Sequence, residues 1–142
     1  MTEKQRNQLF EIRKALDNFV SKIVENPQEI NENPVVIRNW KPDNYVINDV
    51  RVYKNIPYKC VQAHDSSANM DWTPDTQPAL WMQYHGTTVQ TARPWVAPTG
   101  AHDMYKANEY VIWSDNLVYR CKIDTVYDPI TVPTSWEKIT TN

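Results

Sequence analysis

The sequence predicts a mainly β protein in which an N-terminal α-helix precedes two small tandem β modules. Three observations predict it. Leu9, Ile12, Leu16, Phe19 and Ile23 recur at spacings of three, four, three and four, the a/d stripe of a heptad. From Trp40 onward the chain repeats itself, which marks tandem units. Within each copy, short alternating runs rich in Val, Ile, Tyr and Trp are separated by polar turn residues, the pattern of short strands and hairpins.

Residues 1 to 25 are expected to form the helix. Thr2 or Glu3 opens its first turn, and Glu11, Arg13, Lys14, Asp17 and Lys22 lie between the apolar positions. Pro27 ends the pattern. A helix of this length is marginal alone in water, so its stripe must be buried. Two burials are open: packing onto its own domain, or a short homo-oligomeric coiled coil, for which the narrow spacing argues. On the second, Leu9, Ile12, Leu16, Phe19 and Ile23 are the oligomerisation residues. Residues 26–39 read as a Pro-containing linker with one apolar run, Val35-Val36-Ile37, expected to be extended and able to add an edge strand.

The first module is expected over 40–86 and the second over 94–142. Their endings align without gaps, WTPDTQPALW (Trp72 to Trp81) against YDPITVPTSW (Tyr127 to Trp136), and Tyr58-Lys59-Cys60 matches Tyr119-Arg120-Cys121. The first copy carries an extra segment around His64 to Asn69. Each copy predicts a hairpin: Asp49–Tyr53 and Tyr58–Val61 joined by Lys54 to Pro57, then Tyr110–Trp113 and Leu117–Cys121 joined by Ser114-Asp115-Asn116. Modules this small cannot build a large aliphatic core. Large aromatics must supply the buried area, so Trp40, Tyr58, Trp81, Trp95, Tyr119 and Trp136 are the expected module cores.

Composition excludes several functions. Fifteen Lys and Arg against 17 Asp and Glu give a net charge of −2, so a broad basic surface for nucleic acid is not expected. Mean hydropathy is −0.67, and no apolar run approaches the roughly 20 residues that span a bilayer, so no membrane partner is expected. The opening MTEKQRNQ leads into an amphipathic stretch, and no secretory signal is expected. Two glycines, Gly86 and Gly100, cannot build either Gly-rich phosphate loop, and no cofactor is expected. His64-Asp65 and His102-Asp103 lack a third ligand at recognisable spacing, so no metal is expected. Asp49 and Glu109 are repeat-equivalent and fall in separate turns, so no carboxylate pair flanks one glycosidic bond. No enzyme is expected. Cys60 and Cys121, equivalent in different modules, are expected as buried free thiols suited to a reducing cytoplasm.

Six Trp and eight Tyr against two Phe suit recognition, because these rings pair an apolar body with a polar handle. Trp72 and Tyr127, just before each Pro-punctuated return, are the candidate stacking platforms; the alternative is that each lids its own core. His64 and Asp65 in the extra loop are the accompanying candidate carbohydrate contacts, or turn-capping groups.

The order Trp40, Tyr45, Asn48-Asp49, Tyr53, Tyr58-Lys59-Cys60, Pro78, Trp81, and its counterpart from Trp95 to Trp136, resembles the family five/twelve carbohydrate-binding modules, or chitin-binding type 3 domains. The family has Gly where this chain has Asn48 and Asn108. Where it carries a stacking aromatic pair, this chain has Gln62-Ala63 and Ile123-Asp124. The stretches from Arg51 to Trp81 and Arg93 to Trp113 are similar to paired modules in bacteriophage tail, baseplate and fibre proteins. The resemblance implies a virion appendage of tail, baseplate or head, assembled in the bacterial host cytoplasm and attaching to host or environmental glycan. Its implied partners are further copies of the chain (a trimer favoured), other virion structural proteins and cell-surface polysaccharide. The alternatives are a structural virion decoration protein that binds no glycan, and an accessory chitin-binding module of a glycoside hydrolase system.

Overall fold

Thr2 starts the first helix by a reciprocal cap. Its Oγ1 accepts the Gln5 N–H at 3.1 Å while Gln5 Oε1 accepts the Thr2 N–H at 2.8 Å, satisfying donors that a bare helix end leaves open. Helix α1 then runs Glu3–Ile23. The structure, a computed structural model, describes residues 1–140. The last two residues of the expected second module lie outside the described residues.

The chain divides into two compact units, Met1–Tyr84 and His85–Asn142. In the first, residues 26–39 are not the extended linker expected from their prolines. Pro27 ends α1 and also begins a second helix, α2, Pro27–Glu32, with Asn26 Oδ1 accepting the Glu29 N–H at 3.1 Å. Proline suits the first helical position, where its missing N–H has no partner to lose. A short 3₁₀ turn, Pro34–Val36, follows. Ile30, wholly buried, joins Val20, Ile23, Ile37, Val50 and Tyr84 in one apolar cluster, and Tyr84 Oη donates to the Val24 carbonyl at 2.6 Å. Arg13 donates to the Val36 carbonyl at 2.8 Å, and Asp17 sits between Arg13 and Arg38. The end of the expected oligomerisation stripe is thereby spent: Ile23 packs within its own unit.

Beyond the helices, β1 (Asn44–Tyr45) pairs antiparallel with β4 (His64–Asp65), and β2 (Val50–Tyr53), β3 (Ile56–Cys60) and β5 (Trp81–Gln83) form an antiparallel sheet in that order. Tyr53 faces Ile56, so the hairpin turn is Lys54-Asn55 alone, shorter than expected. Both turn residues take positive φ, 50° and 67°, the geometry that matches strand twist in two-residue turns. Tyr45, Tyr58, Cys60 and Trp81 form the core, with Trp40 half-buried against it.

The second unit repeats this plan. Strand β6 (Arg93–Pro94) pairs parallel with β7 (Tyr110–Ile112), which pairs antiparallel with β8 (Val118–Cys121), and β8 with β9 (Trp136–Lys138). Tyr105, Val111, Tyr119, Cys121 and Trp136 form its core, with Trp95 half-buried. The repeat holds at the level of single bonds. Asn48 N–H donates to the Cys60 carbonyl at 2.9 Å and Asn108 N–H to that of Cys121 at 2.7 Å. Both asparagines take positive φ, 75° and 73°, a region that Asn tolerates better than most residues with a side chain. Tyr45 and Tyr105, 1% and 2% exposed, are more deeply buried than several of the expected core rings.

Candidate functional site

Each module presents one ring on the loop that leads back to its closing Trp. In the first, Trp72 is 37% exposed; in the second, Tyr127 is 55% exposed. The loops are held from beneath, because Pro74 and Pro129, two residues on, are both buried. Side chains then fix the turns. Thr73 Oγ1 donates to Asp75 Oδ1 at 2.6 Å, and Asp128 accepts the N–H groups of Ile130 and Thr131 at 2.9 and 2.8 Å. Burial raises the Asp128 carboxyl, but these bonds outweigh it and hold the group below its ordinary value. A ring on a rigid loop can cover the apolar face of a sugar without first losing much conformational freedom.

His64 and Asp65 form β4, outside the return loop that carries Trp72. They are successive residues of β4 and so point to opposite faces. The His64 ring lies 5.7 Å from Tyr45 and 5.6 Å from Trp81, centroid to centroid, with Nδ1 2.8 Å from the Gln62 carbonyl. The ring is half-buried and packs against the module core. Asp65 is exposed and accepts both the Oγ–H and the N–H of Ser67, which lower its carboxyl below the ordinary value. It caps its own loop. Ser66, wholly buried, ties that loop down by exchanging bonds with the backbone of Asp43.

The two modules differ in length and in one bond inside the core. From Cys60 to Trp81 the first module is six residues longer than the second from Cys121 to Trp136. In the second, Trp136 Nε1 donates to the carbonyl of Tyr127 at 3.0 Å. In the first, the Nε1 of Trp81 is buried and has no partner among the described residues. The equivalent carbonyl, that of Trp72, makes no such bond.

Both carboxylates at the repeat-equivalent turns have structural roles. Asp49 accepts the Val46 N–H at 2.9 Å, and Glu109 accepts the Lys106 N–H at 2.8 Å. The extra methylene of Glu109 also lets it meet His85 Nδ1 at 2.8 Å, while His85 stacks on Tyr105 at 3.8 Å. Sequence reasoning missed this buried pair; the one signal was Glu standing where the first copy has Asp. Cys60 and Cys121 are free and buried, each donating to a carbonyl two residues on, Gln62 and Ile123, at 3.1 Å. Burial pushes both thiols up, that of Cys121 to about 11. Among the described residues no group of three or more His, Cys, Asp and Glu could hold a metal ion. Among the described residues no helix is long and apolar enough to cross a membrane.

An exposed Trp on a loop pinned by buried proline, beside a core of Tyr45, Tyr58 and Trp81, is the arrangement found here in the first module, and it is this stretch that a known family matches. Residues 39–82 match carbohydrate-binding module family 5/12. The matched stretch runs from the residue before Trp40 to the residue after Trp81, and so contains most of the first module, Trp72 included. Gln62 and Ala63, where the 5/12 family has its aromatic pair, are exposed, as are Ile123 and Asp124 in the second module. Among solved structures, a family GH18 chitinase from Chromobacterium violaceum is similar at 26% identity over 43% of this chain and 16% of that one, with a TM-score of 0.32. No curated protein matches the chain.

Proposed function

We propose that the chain binds glycan through Trp72 and Tyr127 as a component of a bacteriophage or prophage virion appendage. The observation that carries the glycan part is Trp72: an exposed ring on a braced loop, within the stretch that matches family 5/12. Tyr127 supplies a second, unequal platform, and two weak sites on one chain gain avidity without a new type of contact. The protein acts by binding rather than hydrolysis, because Asp49 and Glu109 are each occupied in a turn. The appendage part follows from the resemblance of the paired modules. It carries with it assembly in the bacterial host cytoplasm, virion proteins as neighbours and a homotrimeric state. The buried free thiols of Cys60 and Cys121 suit that compartment.

A glycan array probed with the purified chain tests the binding. The expected result is retention on β-linked amino-sugar or related polysaccharide, falling about tenfold in Trp72→Ala, the order of one lost stacking contact. No retention on any glycan, or retention unchanged in Trp72→Ala and Tyr127→Ala, overturns it. A second reading, a structural decoration protein without glycan binding, is favoured by the exposed Gln62-Ala63 and Ile123-Asp124 in place of aromatic rings. Chitin and cellulose oligomers incubated with the protein should remain uncut, and turnover abolished by substitution of one Asp or Glu would contradict the binding role.

A further inference from the structure

Within the first unit, α1 and the start of the first module enclose a polar cleft of about 180 Å³. The guanidinium groups of Arg13, Arg38 and Arg51 line it, against the carboxylates of Asp17 and Asp49. Three positive charges against two negative leave one positive charge in excess. Both carboxylates are already engaged. Nε and Nη2 of Arg13 and of Arg38 converge on Asp17 at 2.7–3.2 Å, and Asp49 holds the Val46 N–H. These bonds leave Nη1 of Arg13 and of Arg38 without a partner among the described residues.

The second module shows that the fold does not require Arg51. Arg51 faces Tyr58 across its hairpin as Val111 faces Tyr119, so the two positions are equivalent. Val111 is 1% exposed and packs with Tyr105. In its place the first module holds a half-buried guanidinium 5.1 Å from the centroid of the Tyr45 ring. A charge there costs solvation that the valine does not. Asn48, also in the lining, lacks the partner that Asn108 has in Arg120.

We propose that this cleft binds the acidic residue of a glycan, a uronate. Its single carboxylate supplies the missing negative charge and can take two parallel N–H bonds from one guanidinium. A phosphate, at about −1.5 to −2 near neutral pH, would overshoot the balance. Val20 and Val50, both buried, give the lining an apolar part, which suits the C–H face of a sugar ring. The volume lies below the roughly 300–1,000 Å³ of sites for drug-sized ligands and so fits one sugar unit. Trp72 is not in the lining. The cleft therefore adds a second kind of contact to the proposed glycan binding, and it rests on that reading only for the sugar part of its ligand.

Titration of the full chain with glucuronate, followed at the backbone amide resonances of Asn48, Asp49, Val50 and Arg51, tests it. Saturable shifts are expected with glucuronate and none with glucose, while acetate, which lacks the ring, should bind about tenfold more weakly. Arg51→Val copies the second module, so its unfolding midpoint should not fall, whereas its affinity for glucuronate should drop about tenfold, the order of one charge-assisted pair. Arg38→Gln, at an exposed position, gives the same reading should Arg51→Val fail to fold. Equal shifts with glucose, equal affinity for acetate, or glucuronate binding unaltered in a folded variant overturns the proposal. The probe is a single sugar unit read at the cleft. No shift at all therefore overturns this site and leaves the Trp72 reading to the glycan array.

Discussion

At the scale of single residues, the two modules act as controls for each other. Trp81 and Trp136 close equivalent cores at 2% and 4% exposure, yet only Trp136 Nε1 has an acceptor. Trp136→Phe should cost the packing of the lost ring and also strand the Tyr127 carbonyl. Trp81→Phe removes a buried donor that has no partner, and such a change can approach neutrality. Chemical denaturation should therefore rank Trp136→Phe as the more destabilising by about 1–3 kcal/mol. Equal losses would mean that Trp81 finds an acceptor in solution. Trp72→Ala should cost far less than the roughly 3–5 kcal/mol of a buried Trp, because its ring is over a third exposed; a loss as large as that of Trp81→Ala would place Trp72 in the core.

At the scale of elements, the segment 26–39 shows what a sequence conceals. Its prolines read as breaks, and that reading is sound for a helix interior. It fails here because Pro27 occupies the first position of α2, where proline is favoured, and because Ile30 is the one apolar residue that this helix buries. A six-residue helix gives no periodicity to detect. Ile30→Ala should accordingly cost about 2–5 kcal/mol in thermal unfolding of the first unit, where a linker residue would cost nothing measurable. The strand pairs were legible because alternation and Trp spacing are local signals, and Asn48 and Asn108 were legible as turn residues through the repeat. Trp72 and Tyr127 were legible as loop rings from the aligned endings. His64 was not, since its contact with Tyr45 depends on the register of β1 and β4. The join between α1 and its unit adds a pH dependence. Burial raises the Asp17 carboxyl, but hydrogen bonds from Arg38 and Arg13 outweigh it and hold the group below its ordinary value. A carboxyl lowered on folding contributes stability above its unfolded value and loses that contribution as the pH falls through the folded one. Acid titration of stability should thus fall below about pH 4, and fall less steeply in Asp17→Asn.

At the scale of the whole molecule, the chain joins a helix-bearing unit and a plain one, Met1–Tyr84 and His85–Asn142, built on the same small plan but finished differently. Glu109 reaches His85 where Asp49 reaches only its own turn, and the first module alone has the extra loop. The two units share a common core, and they differ where each core meets its surroundings. One shared detail makes the units separately observable. Each holds a single cysteine, Cys60 or Cys121, wholly buried and unbonded to sulfur. A thiol is modified only when its surroundings open, and the two fall in different stretches of sequence. Pulsed alkylation followed by peptide mass analysis would therefore time the opening of each unit in one sample, without any introduced label.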